Sequence, residues 1–521
     1  MEIAETEPAA GQAEAAEGPG RGRWLHLGNL AASWSCQLIG IAGSFIVTPA
    51  LIFGLGEAQY GAWLLVNSFI THLRALDLGM SAGTLRFTAG ALARGDQTRL
   101  RQIHSSSAMM FAGAASLALL ATGILSVLLP RLFPEALAGK GGVIAVLGLA
   151  GLLDLLLHPQ PASLRARSFY FIPDSVEFLT YTVFKLGLVL WLSRTGISLW
   201  LLALLVLAES LVRNLAMTGS ALWLCPWTRR PSPRAVDRAT VWALAVYGTG
   251  TFLIQIGELV RFQLDSAVIG YFLTSEHITV YSIGMRLIHI AYMAIAVIGA
   301  MTFPRFAGLH ERHDRQGIER LLDKANLTTG LVTGWVLANI AVLGLPFLRL
   351  WIRKPWVEEA FLVTQIMLPA YFVALLTIAG EKLLMASGRL RGITALTLAE
   401  AAANLGLSIA LIGRYGIYGV CLGTAIPMLV FRGILFPFLL RAEAGISLGQ
   451  WARSHRRSVP LALGYIALLL PLRLLRIEGP VAFVAAGLAT SAVFAALVLV
   501  AVPEARDELR ALLGSRGLPK A

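Results

Sequence analysis

Ionisable side chains that could do chemistry are few in this chain and sit in apolar company. Glu258, Arg261 and Asp265 stand at i, i+3 and i+7 inside one apolar run, a spacing that puts all three on one face of a helix. One cation flanked by two acids is either a static ion pair between helices or a switch, whose arginine changes partner when a proton or an anion arrives. The remaining candidates are Arg286 in GMRLIHI, Lys185 with Glu177 upstream, Glu209 and Arg213 at i, i+4, Glu381 beside Lys382, and Glu400 with Asn404. Glu209 and Arg213 are spaced to satisfy each other, whereas adjacent Glu381 and Lys382 point apart. Cys36, Cys225 and Cys421 are scattered without a CxxC, and His289, His310 and His313 form no HExxH. Hence no catalytic set, no metal site and no enzyme activity is expected.

These charges must be held by helices that cross a membrane. The 521 residues are 56% hydrophobic and only 14% charged, with a mean hydropathy of +0.70. Runs such as VAAGLATSAVFAALVLVAV are unbroken rather than alternating, and about 20 apolar residues suffice to span the ~30 Å hydrocarbon core. The expected fold is an all-α integral membrane protein of about fourteen spans, from 28–52 at the start to 459–472 and 480–502 at the end. With the N-terminus inside, Lys and Arg collect in the inside segments by about three to one, which places both termini in the cytoplasm. Anionic headgroups then account for the net charge of +13, and no nucleic acid is needed. The opening EIAETEPAAGQAEAAEGPG is acidic and lacks an apolar core, so it reads as a disordered tail rather than a signal peptide.

Two basic stretches punctuate the apolar chain, TLRFTAGALARGDQTRLRQI at Thr84 and TFPRFAGLHERHDRQGIERLL at Thr302. Glu57/Glu276, Phe53/Phe272, Arg86/Arg305 and Phe87/Phe306 are identical pairs separated by one and the same distance along the chain, and a single-position gap then brings Asp96 over Asp314. This is a parallel repeat of six spans, two bundles in the same orientation, followed by two extra helices. The expected divisions are a tail at 1–24, bundles at 25–228 and 229–441, two helices within 442–503 and a tail at 504–521. In the first basic stretch Leu85, Ala89 and Leu92 share a helical face while Arg86 and Arg94 point elsewhere, as in a helix lying along the headgroups. Asp96 and Asp314 are placed to cap the following helix. Arg86 and Arg305 are either topology signals with snorkelling side chains or guides for an anionic lipid headgroup.

The runs LDLGMSAGTLRFTAGALARGD, FQLDSAVIGYFLTSEHITVYSIGMRL and NLGLSIALIGRYGIYGVCLGTAIP, in that order, make the chain resemble the bacterial oligosaccharide-lipid flippase family. That family belongs to a superfamily with lipid II flippases and multidrug extruders. The resemblance implies two six-span bundles around a cavity that opens alternately to either side. It also implies an undecaprenyl-pyrophosphate-linked oligosaccharide as substrate, an inner-membrane location, and polysaccharide polymerase and glycosyltransferases as partners alongside the membrane lipids. A pyrophosphate needs fixed cations. Arg261 and Arg286 are the first candidates, Lys185 and Lys382 the second. No cofactor is expected beyond a proton or sodium gradient, for which Glu258 and Asp265 are the coupling candidates. The competing reading is another transporter of the same fold, a cell-wall precursor flippase or a cation extruder. Aromatic residues Trp200, Trp223, Trp227 and Trp351 are expected at the interfacial belts, with Tyr281 or Phe303 as sugar platforms if they face the cavity.

Overall fold

The computed structural model describes residues 43–503, other than 168, 170 and 476, together with residue 506; side chains at 71–75, 195 and 249–263 are outside that description. The expected tail at 1–24, nearly all of the tail at 504–521, and Cys36 therefore lie outside the described residues. Among the described residues the chain is helical throughout and has no strand.

Fourteen apolar helices and one shorter helix follow one another among the described residues. In the first repeat they are α1 Gly43–Leu55, α2 Glu57–Arg74, the shorter α3 Met80–Ala93, α4 Gln97–Leu132, α5 Gly141–Ala166, α6 Phe171–Arg194 and α7 Leu199–Leu224. The second repeat holds α8 Arg238–Phe272, α9 Ser275–Glu311, α10 Arg315–Ile352, α11 Val357–Ala386, α12 Leu390–Tyr415 and α13 Ile417–Ala444; α14 Leu448–Leu474 and α15 Pro480–Ala501 end the series. Residue patterning is that of a lipid solvent. On α4, Leu117, Leu120, Ile124 and Val127 face outward while Ser105, Ser106, Ser107, Ala114 and Ala118 are buried, because small and hydroxylated residues let helices approach and bond.

The caps hold as their sequences require. Asp96 accepts from the Arg99 amide at 2.8 Å to start α4, and Asp314 accepts from the Gly317 amide at 2.8 Å to start α10. The packed face of α3 is rotated by one position from the expected one: Thr84, Thr88 and Ala91 are buried, while Leu85, Ala89 and Leu92 are half-buried. The cause is Thr84, whose hydroxyl lies 2.7 Å from that of Ser107 on α4 and draws the polar face inward.

The chain divides into two compact units, one through Leu259 and one from Val260. The division falls later than the 228/229 boundary read from the repeat, because the first half of α8 packs on the first unit. A Cβ on Gly83 of α3 would stand 3.2 Å from Leu244, and one on Gly248 would meet the Leu78 carbonyl at 2.5 Å. The connection into α8 is also fastened there. Ser105 accepts from the Ser232 amide and Ser106 from the Asp237 amide, each at 3.1 Å, while Arg99 reaches Asp237 at 3.2 Å and Thr240 at 2.7 Å.

Each unit has an apolar core beneath its basic stretch, and the two cores share several equivalent positions. Ile103, Leu164, Met217 and Ala221 in one core have Leu322, Leu383, Phe436 and Leu440 in the other, every pair separated by the same step that relates Arg86 to Arg305. Trp227 belongs to the first of these cores. It is buried, unlike Trp200 and Trp223, and so does not join the interfacial belt expected of it.

Candidate functional site

Polar groups inside the second unit gather where α8, α9, α12 and α13 meet. Gly419 and Gly423 let α13 run hard against α12; a Cβ on Gly419 would stand 2.5 Å from the Leu411 carbonyl. Short-range bonds can then cross between the helices. Thr424 of α13 reaches Asn404 Oδ1 of α12 at 3.2 Å and both carboxylate oxygens of Asp265 at 3.3 and 3.4 Å. Ser408 donates to Asn404 Oδ1 at 3.0 Å, and the Val420 carbonyl lies 3.1 Å from the Thr424 hydroxyl. The Tyr281 hydroxyl of α9 donates to Asp265. Asp265 is 7% exposed. The side chains bonded to it, Tyr281 and Thr424, and the Asn404 carbonyl beside them present oxygen, the donor set a hard cation or a proton relay uses.

A second polar layer lies beside it. Arg432 of α13, 2% exposed, donates from Nε to Glu400 at 2.5 Å, from Nη1 to Glu381 and from Nη2 to Thr397 at 3.2 Å. It sits on a π-helical segment, Leu429–Leu435, an uncommon backbone form that redirects a side chain by one position. Between the two layers, Thr397, Glu400, Asn404 and Thr424 line a void of about 10 Å³, the size of a single water molecule.

The first unit carries a different network. Asp154 Oδ1 on α5 accepts from Arg213 at 2.6 Å, Ser210 at 2.7 Å and Asn214 at 2.8 Å, all on α7. Ile46, Lys185 and Leu205 occupy the places in the first repeat that Asp265, Asn404 and Thr424 hold in the second. The oxygen-lined cluster therefore has no counterpart at those positions of the first repeat.

Several pairings differ from the sequence reading. Arg213 pairs with Glu209 at 3.7 Å, as its spacing allows, but its closer partner is Asp154 on the facing α5, at 2.6 Å. Lys185 pairs with Glu209 at 3.8 Å rather than with Glu177, since the π-helical turn at Tyr181–Leu188 aims it toward α7. Glu400 and Glu381 both serve Arg432, and Asn404 belongs to the Asp265 cluster instead. Tyr281 is buried against Asp265 and offers no face to a sugar, while Phe303 is exposed. Cys225 and Cys421 are buried free thiols. The side chains of Glu258 and Arg261 lie outside the described residues. Arg286 is half-buried on α9 and Arg86 lies over the Tyr247 ring at 4.9 Å, while Arg305 is exposed. Lys382 is half-buried on α11, where its nearest described polar contact is the Met385 sulfur at 3.8 Å. The sequence reading passed over Asp154, Arg432 and the Ser105–Ser107 run; the first two had a signal, as lone charges in apolar helices.

The duplicated helical bundle, with buried ion pairs in both halves and a polar cluster around Asp265 in the second, is an architecture found in other membrane proteins. Solved structures bear this out for the fold: the lipid II flippase MurJ, inward closed, matches with a TM-score of 0.68 at 15% identity over 92% of this chain and 99% of the other. An inward-facing multidrug resistance MATE family transporter of the MOP superfamily matches with a TM-score of 0.68 at 14% identity over 77% and 95% of the two chains. The chain belongs to the polysaccharide biosynthesis protein family, whose pattern it matches over residues 95–360, more than half its length. A Bacillus subtilis (strain 168) relative, the uncharacterized membrane protein EpsK, is 20% identical over 436 residues, 80% of this chain and 83% of its own.

Proposed function

We propose that this protein is a flippase that moves an undecaprenyl-pyrophosphate-linked oligosaccharide from the cytoplasmic to the periplasmic leaflet of the bacterial inner membrane. It does so by alternating access and without chemical change to the substrate, supplying a cell-surface polysaccharide such as O-antigen or an exopolysaccharide. The observation that carries this reading is the family match over residues 95–360, joined to a transporter fold. Glycosyltransferases that build the glycan and a polymerase that receives it are the enzymes it would serve, and both termini face the cytoplasm.

The charges take roles accordingly. Lys382, with no carboxylate bonded to it among the described residues, supplies a cation to the pyrophosphate together with Arg286 and Arg261 of the second unit; Lys185 is the candidate cation of the first unit. Arg86 and Arg305 attract the headgroup from the cytoplasmic surface. Asp265 is the coupling group: a proton or a sodium ion exchanges on the oxygens of Asp265, Asn404 and Thr424, with Glu258 on the same helix.

The test is transport in proteoliposomes of a fluorescent undecaprenyl-pyrophosphoryl disaccharide. Expected is gradient-driven movement that Lys382→Ala and Arg286→Ala each reduce at least about tenfold, the worth of one charge-assisted hydrogen bond. Full transport by both variants would remove the pyrophosphate roles. A second reading, flipping of a cell-wall lipid precursor, is favoured by the match to the lipid II flippase over 92% of this chain. Transport of lipid II in preference to the disaccharide carrier would establish it instead.

A further inference from the structure

The first unit contains a cavity of about 460 Å³ between α5, α6, α7 and the start of α3, with Asp77 just ahead of it. This volume falls in the range of small-molecule sites. Its polar lining comes from Asp77, Asp154, Glu177, Arg165, Arg213 and Asn214, and its apolar lining from Leu155, Pro161, Pro173 and Met217. His158 completes the wall with one ring face stacked on Phe111, centroids 5.6 Å apart and 10° from parallel.

The charges are largely held in place by one another. Arg213 is bound to Asp154, and Arg165 lies 3.4 Å from Asp174. Asp77 accepts from the Ser81 amide at 3.0 Å and the Ser81 hydroxyl at 2.5 Å. Glu177 is the exception. Among the described residues no hydrogen bond reaches its carboxylate, and its charge is felt only at a distance by Arg213.

Three acids and two guanidinium groups make a lining of mixed sign, which repels a polyanion through its carboxylates and draws a cation less than an all-acid wall would. The cavity is far too wide to coordinate a bare metal ion, whose ligands must lie within about 2.6 Å. Donors and acceptors alternate around apolar patches and a flat ring, which matches a ligand whose hydroxyls each donate and accept and whose ring faces are carbon-bound. We infer that this cavity is a subsite for an uncharged sugar ring of the transported glycan, with the Glu177 carboxylate and Asn214 Oδ1 accepting from its hydroxyls and Arg213 donating. The inference rests on the flippase reading, and adds a sugar-binding role for the first unit.

Photo-crosslinking tests it on the full chain in nanodiscs. The probe is undecaprenyl-pyrophosphoryl N-acetylglucosamine with a diazirine in the acyl group, and transport of the same compound is measured in proteoliposomes. Expected are adducts on peptides covering 154–177 and 209–217. Glu177→Gln should reduce them about tenfold at unchanged melting temperature, and the charge-conserving Glu177→Asp should restore part of the yield. Transport with adducts confined to other segments, or with full yield in Glu177→Gln, overturns the subsite and leaves the flippase reading standing. Absence of both transport and adducts overturns the flippase reading, and the subsite with it.

Discussion

Arg213 and Arg432 occupy equivalent positions of the two repeats, each on the sixth apolar helix of its half, and each is gripped by a carboxylate from the fourth, Asp154 for one and Glu381 for the other. The duplication thus kept an arginine-to-acid brace while the residues around it diverged. In the second unit Glu400 joins the brace and Asp265 lies one void away; in the first, Lys185 and Glu209 replace that chemistry.

Breaking the brace should be costly in the unit that buries it more deeply. Arg432→Met strands Glu381 and Glu400 without their cation, and a broken buried pair costs about 3–5 kcal/mol. The variant should melt well below the wild type in detergent, whereas Arg432→Met combined with Glu381→Gln and Glu400→Gln should recover most of the loss. An Arg432→Met protein that melts like the wild type would show that the ion pair braces nothing.

Asp265 should carry the ion dependence of transport. Asp265→Asn keeps the shape and the Thr424 contact but not the charge, so transport should become insensitive to sodium and pH gradients. Tyr281→Phe removes one donor to the carboxylate and should shift the ion concentration for half-maximal transport without abolishing the response. Unaltered gradient dependence in Asp265→Asn moves the coupling role elsewhere.

Helix number, repeat and caps were legible because each is written in local pattern. Apolar runs set the spans, the echo of one basic stretch in the other set the repeat, and Asp96 and Asp314 occupy the first position before a helix. Partners of the buried charges were not, because spacing along one helix says nothing about which helix faces it. Arg213 looked settled by Glu209, yet its closest acid is Asp154, far upstream on α5. The two π-helical turns are a second reason: they shift Lys185 and Arg432 off the 3.6-residue register on which a sequence reading depends. Trp227, placed near a span end, turned inward for a third reason, since apolar packing under the basic stretch outweighed the pull of the interface.

The fastening of the connection into α8 should resist acid until unusually low pH. The hydroxyl and amide of Thr240, with Arg99 and the Ala239 amide, hold the Asp237 carboxyl below its ordinary range. A depressed folded value means that the contribution is fully present above the unfolded pKa of about 3.9 and is lost as pH falls through the lower folded value. Hydrogen exchange at residues 232–240 should therefore be flat from neutral pH to about 4 after correction for the intrinsic rate. Asp237→Asn should raise exchange there at neutral pH; protection that fades between pH 7 and 5 would contradict the assignment.

The two basic turns should report the orientation of both repeats at once. Leu92 and Ala91 accept from the amides of Gly95 and Asp96 in the first turn, as His310 and Leu309 do from His313 and Asp314 in the second. The same backbone motif thus ends α3 and α9, and a parallel repeat puts both turns on one side of the membrane. Arg94 and Arg312 beside them are exposed, so cysteines there are accessible without disturbing a cap. In a background lacking Cys36, Cys225 and Cys421, Arg94→Cys and Arg312→Cys should both resist a membrane-impermeant maleimide in intact cells and react in inverted vesicles. Labelling of one from each side would break the parallel repeat, and labelling of both in intact cells would invert the topology and remove the headgroup role proposed for Arg86 and Arg305.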